Sequence, residues 1–214
     1  MKLNKYIDHT YLKAMGGKEV IEKLCAEARE YDFKSVCVNP CNVALAKKLL
    51  EGSDVLVCTV IGFPLGQNTT ATKLFETKEA IQNGAREIDM VINVAKLKDQ
   101  DYDYVKNEIK VLKDACGSLT LKVIIETCYL TKDEIRKVSE LALEAGADFV
   151  KTSTGFGTGG ATAEDVAIMR SVVGNKAHVK ASGGVKTHED AMKMIEAGAD
   201  RIGTSNGIDI MKGE

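Results

Sequence analysis

The chain has 214 residues, 44% hydrophobic and 28% charged, with a formal net charge of -2. That balance suits a folded chain with a full core, and it excludes the basic excess of a nucleic-acid-binding protein. No apolar run approaches the ~18 residues of a membrane span, and no secretory signal follows Met1-Lys2-Leu3-Asn4-Lys5, so the expected location is the cytoplasm.

Short runs of strand character recur, at roughly residues 6–9, 35–39, 55–61, 87–93, 121–127, 148–153, 178–182 and 201–204. Between them the apolar spacing changes to a helical period. Val20, Ile21, Leu24 and Ala28 make one apolar face; Val105, Ile109 and Leu112 make another; Ile135, Val138, Leu141, Ala142 and Ala145 make a third. Thr131 with Glu134, Thr162 with Asp165, and Thr187 with Asp190 have the spacing of helix-capping boxes. Eight strands alternating with helices, and no Pro- or Ser-rich linker, predict one α/β domain over residues 1–214. The predicted architecture is a parallel (β/α)8 TIM barrel.

The six cysteines, with no C-x-x-C pair, read as free thiols. His9, His178 and His188 lie far apart without ligand spacing, so no metal site is expected.

An internal repeat sharpens the reading. Residues 144–155 are EAGADFVKTSTG, residues 196–207 are EAGADRIGTSNG, and a weaker copy, NGAREIDM, starts at Asn83. Each copy places a glycine where a helix would end and a strand two or three residues later. Five residues past those glycines stand Asp89, Lys151 and Gly203, which the repeat puts at equivalent depth. Strand parity sends Ile88, Met90, Ile92, Val123, Ile125, Val179 and Ala181 toward the helices. Glu87, Asp89, Lys122, Glu126, Lys151, His178 and Lys180 then face the barrel interior. Branched apolar side chains usually fill that space. The charged set is either reactive or a compensated ion network that merely plugs the lumen.

Lys151 and Lys180 fall near the ends of adjacent strands. A lysine nucleophile must be partly neutral, and bringing its pKa from about 10.4 to about 7 takes roughly 4–5 kcal/mol. Burial and a second ammonium both act in that direction. A neutral amine adds to an aldehyde, loses water and leaves an iminium, an electron sink for the neighbouring carbon–carbon bond. Asp89 is placed to move protons. The loops Ser182-Gly183-Gly184-Val185 and Gly203-Thr204-Ser205-Asn206-Gly207 follow the last two strands, where phosphate sites of this architecture are built. Thr154-Gly155 adds to them from the sixth strand. A phosphorylated aldehyde or sugar is the expected substrate class. An isomerase, another Schiff-base lyase or a non-catalytic phosphate-binding barrel remain alternatives.

The runs IDHT (7–10), VIGFPLG (60–66), EIDMVIN (87–93), LKVIIET (121–127), FVKTSTGF (149–156) and VKASGGV (179–185) together resemble the deoxyribose-phosphate aldolase family over almost the whole chain. The resemblance implies a metal-free, cofactor-free class I aldolase that reversibly cleaves 2-deoxy-D-ribose 5-phosphate to D-glyceraldehyde 3-phosphate and acetaldehyde. It implies Lys151 as the Schiff-base lysine and Lys180 with Asp89 as the proton-transfer pair. Asp8, Cys37 and Thr152 would line the substrate site, with Thr154, Gly155, Gly183, Gly184, Gly203 and Ser205 near the phosphate. Homodimers are common in the family. Phe156, Lys186 and Asn206 depart from residues frequent in relatives, so the phosphate contacts are the least transferable part.

Overall fold

The computed structural model describes residues 2–213. Its strands are β1 (Ile7–Tyr11), β2 (Ser35–Val38), β3 (Leu56–Ile61), β4 (Glu87–Val91), β5 (Thr120–Ile124), β6 (Phe149–Lys151), β7 (His178–Ser182) and β8 (Arg201–Thr204). They pair in sequence order, all parallel, and β8 returns to β1 to close the barrel. Its helices are α1 (Lys18–Glu30), α2 (Val43–Leu49), α3 (Thr70–Asn83), α4 (Val94–Lys98), α5 (Tyr102–Cys116), α6 (Lys132–Glu144), α7 (Ala163–Val173), α8 (His188–Glu196) and α9 (Gly207–Lys212). Among the described residues, no helix is long and apolar enough to cross a membrane.

The α/β barrel and its eight strands match the expectation from sequence. Several strands end earlier than their apolar runs, because the chain turns at once into the loops of the site. Asn93 leaves β4 and accepts a hydrogen bond from the amide of Lys96 as the cap of α4. Glu126, expected on a strand, lies beyond β5 with φ of 55°. The three predicted caps form: the side chains of Thr131, Thr162 and Thr187 accept from the amides of Glu134, Asp165 and Asp190, with full capping boxes at Thr131 and Thr187. The repeat glycines Gly84, Gly146 and Gly198 all have positive φ, as a left-handed helix end requires.

The apolar core lies between barrel and helices. Ile88, Met90, Val123, Ile125, Val179 and Ala181 are fully buried there, as parity requires. The barrel interior is polar. His178 is the exception to the inward set: as the first residue of β7 it sits at the lower rim, exposed, with its ring 4.8 Å from Phe149.

Candidate active site

Seven ionisable side chains meet inside the barrel. Asp8, Glu87 and Asp89 face Lys122, Lys151, Lys180 and Arg201, all of them buried, three acidic groups among four basic ones. Asp89 is the hub. Its Oδ2 accepts hydrogen bonds from Lys151 Nζ and Lys180 Nζ at 2.8 Å each, and its Oδ1 accepts one from Lys122 Nζ at 2.8 Å. Lys180 Nζ also lies 2.6 Å from Asp8 Oδ2. Arg201 donates to Asp8 Oδ1 at 2.8 Å and to Glu87 Oε2 at 3.0 Å, while Ser35 donates to Asp8 Oδ1 at 2.7 Å.

These contacts bias the charges of Asp89, Asp8, Lys180 and Lys122. Burial opposes ionisation of Asp89, but Lys122, Lys151 and Lys180 hold its carboxyl well below the usual carboxylate range. Burial opposes ionisation of Asp8 too, yet Arg201, Lys180 and Lys122 hold it low. The same balance runs the other way for Lys180: despite burial, Asp8 and Asp89 keep its ammonium above the ordinary lysine range. Burial likewise opposes the charge on Lys122, and Asp89 leads the groups that raise it well above that range. Lys180 therefore stands as a cation, with the carboxylate of Asp89 between it and Lys151.

The interior lysines differ in what they face. A cavity of about 300 Å³ opens at the C-terminal ends of the strands, and Lys151 lines it, whereas Lys122 and Lys180 do not. Thr154, Gly155, Gly183, Gly184, Gly203 and Ser205 also line this cavity. Gly183 and Gly184 have φ of 82° and 83°, a tight turn that side chains would strain. Gly203 is glycine for a different reason. A Cβ there would lie 2.9 Å from Lys180 Cε, so its small size leaves room for the lysine stem as well as for a ligand.

Asp8, Cys37 and Thr152 lie behind the wall. Asp8 is fully buried beneath Lys180. Thr152 Oγ1 donates to Ser182 O at 3.1 Å and accepts from the amide of Ser182, tying β6 to β7 at the root of the glycine turn. Cys37 packs with Cys58, Val60, Leu12 and Phe63. A hydrogen bond with Cys58 lowers the Cys37 thiol from its ordinary value, against burial, whereas burial pushes Cys58 well up. Among the described residues, Cys37, Cys58 and Asp89 bring potential metal-ligand atoms within 4.8 Å of one another. The ammonium of Lys122, 3.3 Å from Cys58 Sγ and 2.8 Å from Asp89 Oδ1, already supplies positive charge there.

Two contributors escape the sequence reading in whole or in part. Arg201 shares strand parity with Gly203, and that signal alone would place it inside. Parity does place Glu126 inside but gives no hint of what it holds. Glu126 accepts hydrogen bonds from the amide of Thr154 at 3.1 Å and from the Thr154 hydroxyl, fixing the loop above Lys151.

A family model described as DeoC/LacD family aldolase matches residues 2–213. A deoxyribose-phosphate aldolase of Macrococcus caseolyticus is 64% identical over 214 residues, spanning 100% of this chain and 97% of that protein. One from Finegoldia magna is 60% identical over 213 residues and is spanned completely. Among solved structures, an aldolase called QR15 matches with a TM-score of 0.94 at 46% identity, over 98% of this chain and 94% of that one. A deoxyribose phosphate aldolase from Aeropyrum pernix matches at 0.90 and 32% identity, over 98% and 89%. The polar barrel with one interior lysine facing its cavity thus has relatives along its full length, and the chain belongs to the DeoC/LacD family of aldolases.

Proposed function

We propose that the chain acts as one catalytic domain over residues 1–214. Its reaction is the reversible cleavage of 2-deoxy-D-ribose 5-phosphate to D-glyceraldehyde 3-phosphate and acetaldehyde. The observation that carries this reading is the placement of Lys151: it shares its cavity with the glycine turns and Ser205, and the proton-transfer groups lie directly behind it. The names of the full-length relatives point to the same substrate.

In the forward direction the neutral amine of Lys151 adds to the C1 aldehyde and water leaves, giving a protonated imine. Loss of the C3 hydroxyl proton releases D-glyceraldehyde 3-phosphate. The electron pair of the broken C2–C3 bond moves into the imine and forms an enamine. Protonation at C2 and hydrolysis return acetaldehyde and the free lysine. Asp89 contacts both Lys151 and Lys180 and joins them in one hydrogen-bonded proton-transfer group, with Lys180 kept charged by Asp8. Lys122 and Arg201 hold Asp89, Asp8 and Glu87 in place. Thr154, Gly155, Gly183, Gly184, Gly203 and Ser205 receive the phosphate end, while Asp8, Cys37 and Thr152 shape the wall from behind.

The reading is tested by steady-state cleavage of 2-deoxyribose 5-phosphate beside ribose 5-phosphate, with and without EDTA. A strong preference for the 2-deoxy sugar and no effect of EDTA are expected. Equal rates on both sugars would point to another Schiff-base lyase or an isomerase, and activity lost to EDTA and restored by zinc would defeat the metal-free mechanism.

The reading extends to a homodimer in the cytoplasm. Light scattering of the purified protein is expected to report twice the chain mass. A monomer, or a tetramer such as the one described for the Aeropyrum pernix relative, would remove the dimer from the reading.

A further inference from the structure

We propose that Lys13, which lines the same cavity as Lys186, is a phosphate-binding cation of this active site, and that it makes the enzyme selective for phosphorylated over unphosphorylated sugars. The inference rests on the reading that the cavity takes a sugar phosphate.

Barrel topology places the two lysines. β8 lies between β7 and β1, so the loop after β8, with Ser205 and Asn206, is flanked by the loops after β7 and β1. Lys186 comes from the first flanking loop and Lys13 from the second, and both line the cavity that Lys151 faces. A phosphate at the glycine turns is thereby bracketed by positive charge on two sides. Both side chains are exposed, and among the described residues neither forms a salt bridge, although most other lysines of the chain are paired. An unpaired cation at a pocket mouth has no intramolecular contact to give up when a dianion arrives.

The backbone beneath each lysine is anchored. Asn39 Nδ2 donates to Leu12 O at 3.2 Å, and Leu12 packs on the Cys37, Cys58 and Val60 cluster. Gly16 then passes so close to the Tyr11 ring that a Cβ would lie 2.1 Å from Cε1, which holds the rest of the loop against β1. On the other side, the amide of Lys186 donates to Asp190 Oδ2 at 3.0 Å within the cap of α8. Each ammonium is thus carried on a flexible stem from a fixed root, an arrangement suited to a mobile phosphate. Phe156, the exposed residue following Gly155, supplies no charge, so the cations of this rim are Lys13 and Lys186.

The test compares wild type, Lys13→Ala and Lys13→Arg on 2-deoxyribose 5-phosphate and on 2-deoxyribose, with inorganic phosphate as a competitive inhibitor. Lys13→Ala is expected to raise KM for the phosphorylated sugar and Ki for phosphate roughly tenfold, the size of one charge-assisted contact. Its kcat should stay within about twofold, and kcat/KM on 2-deoxyribose should not change, because the covalent machinery is untouched. Lys13→Arg should restore most of the loss. Equal losses on the two sugars would make Lys13 structural, and no loss on either would make it idle; both outcomes overturn the proposal while sparing the aldolase reading. Wild-type enzyme that shows no preference for the phosphorylated sugar and no inhibition by phosphate would overturn both.

Discussion

Lys151→Ala is expected to lower aldol cleavage by at least ~10^4-fold, the scale seen when a covalent nucleophile is removed. It should also abolish trapping. With acetaldehyde and borohydride, wild-type protein should gain one ethyl group, on the peptide that carries Lys151, and the variant none. The reason is electrostatic as well as positional. An ammonium must surrender its proton before it can add to a carbonyl, and every carboxylate in contact resists that step. Lys122 lies within 4.0 Å of Asp8, Glu87 and Asp89, and Lys180 of Asp8 and Asp89. Lys151 touches Asp89 alone and is the one of the three that lines the cavity. An adduct that persists in Lys151→Ala would transfer the covalent role to another lysine and overturn the mechanism.

Asp89→Asn is expected to damage stability and chemistry together, by separable amounts. The interior cluster would pass from three acidic groups among four basic ones to two among four, with Lys122, Lys151 and Lys180 turned toward a neutral amide. Breaking a buried pair by removing one partner costs about 3–5 kcal/mol. Urea unfolding should show this loss in full at pH 7. The folded carboxyl of Asp89 lies well below its unfolded value, near 3.9. Its contribution is therefore present above that unfolded value and fades as pH falls through it toward the folded one. The stability gap between wild type and variant should be flat from neutral pH down to about 5 and close in stronger acid. At a temperature where the variant is folded, loss of proton transfer should still slow turnover by about 10^2–10^4-fold. An unchanged urea midpoint would show that the three lysines do not depend on Asp89, and unchanged turnover would remove it from the proton path.

The chemistry of the interior is legible because strands have a period of two. With β4, β5, β6 and β7 located, parity places Asp89, Lys122, Lys151 and Lys180 inside, and the repeated EAGAD segments align Lys151 and Gly203, with Asp89 from the weaker copy. His178 obeys parity yet lies outside the cluster, because parity sets the face of a strand and says nothing of height along the barrel. The apolar neighbours of Glu126 suggest a strand; its left-handed backbone instead turns it toward Thr154, a contact across 28 positions that local pattern cannot encode.

What the sequence determined alone is the alternation of eight strands and helices, the helix caps and the identity of most charged side chains facing inward. These follow from local periodicity and short-range hydrogen bonding. Tertiary structure decided which interior lysine meets the cavity, that Asp89 stands between Lys151 and Lys180, and that Asp8 contacts Lys180 and Arg201 from behind the wall. It also decided that the loops after β7 and β1 flank the loop after β8. Those facts depend on barrel closure and register, which bring Arg201 to Asp8 across 193 positions of sequence. A local pattern assigns each side chain a face; only the closed ring gives it neighbours, and the neighbours set its charge and its role.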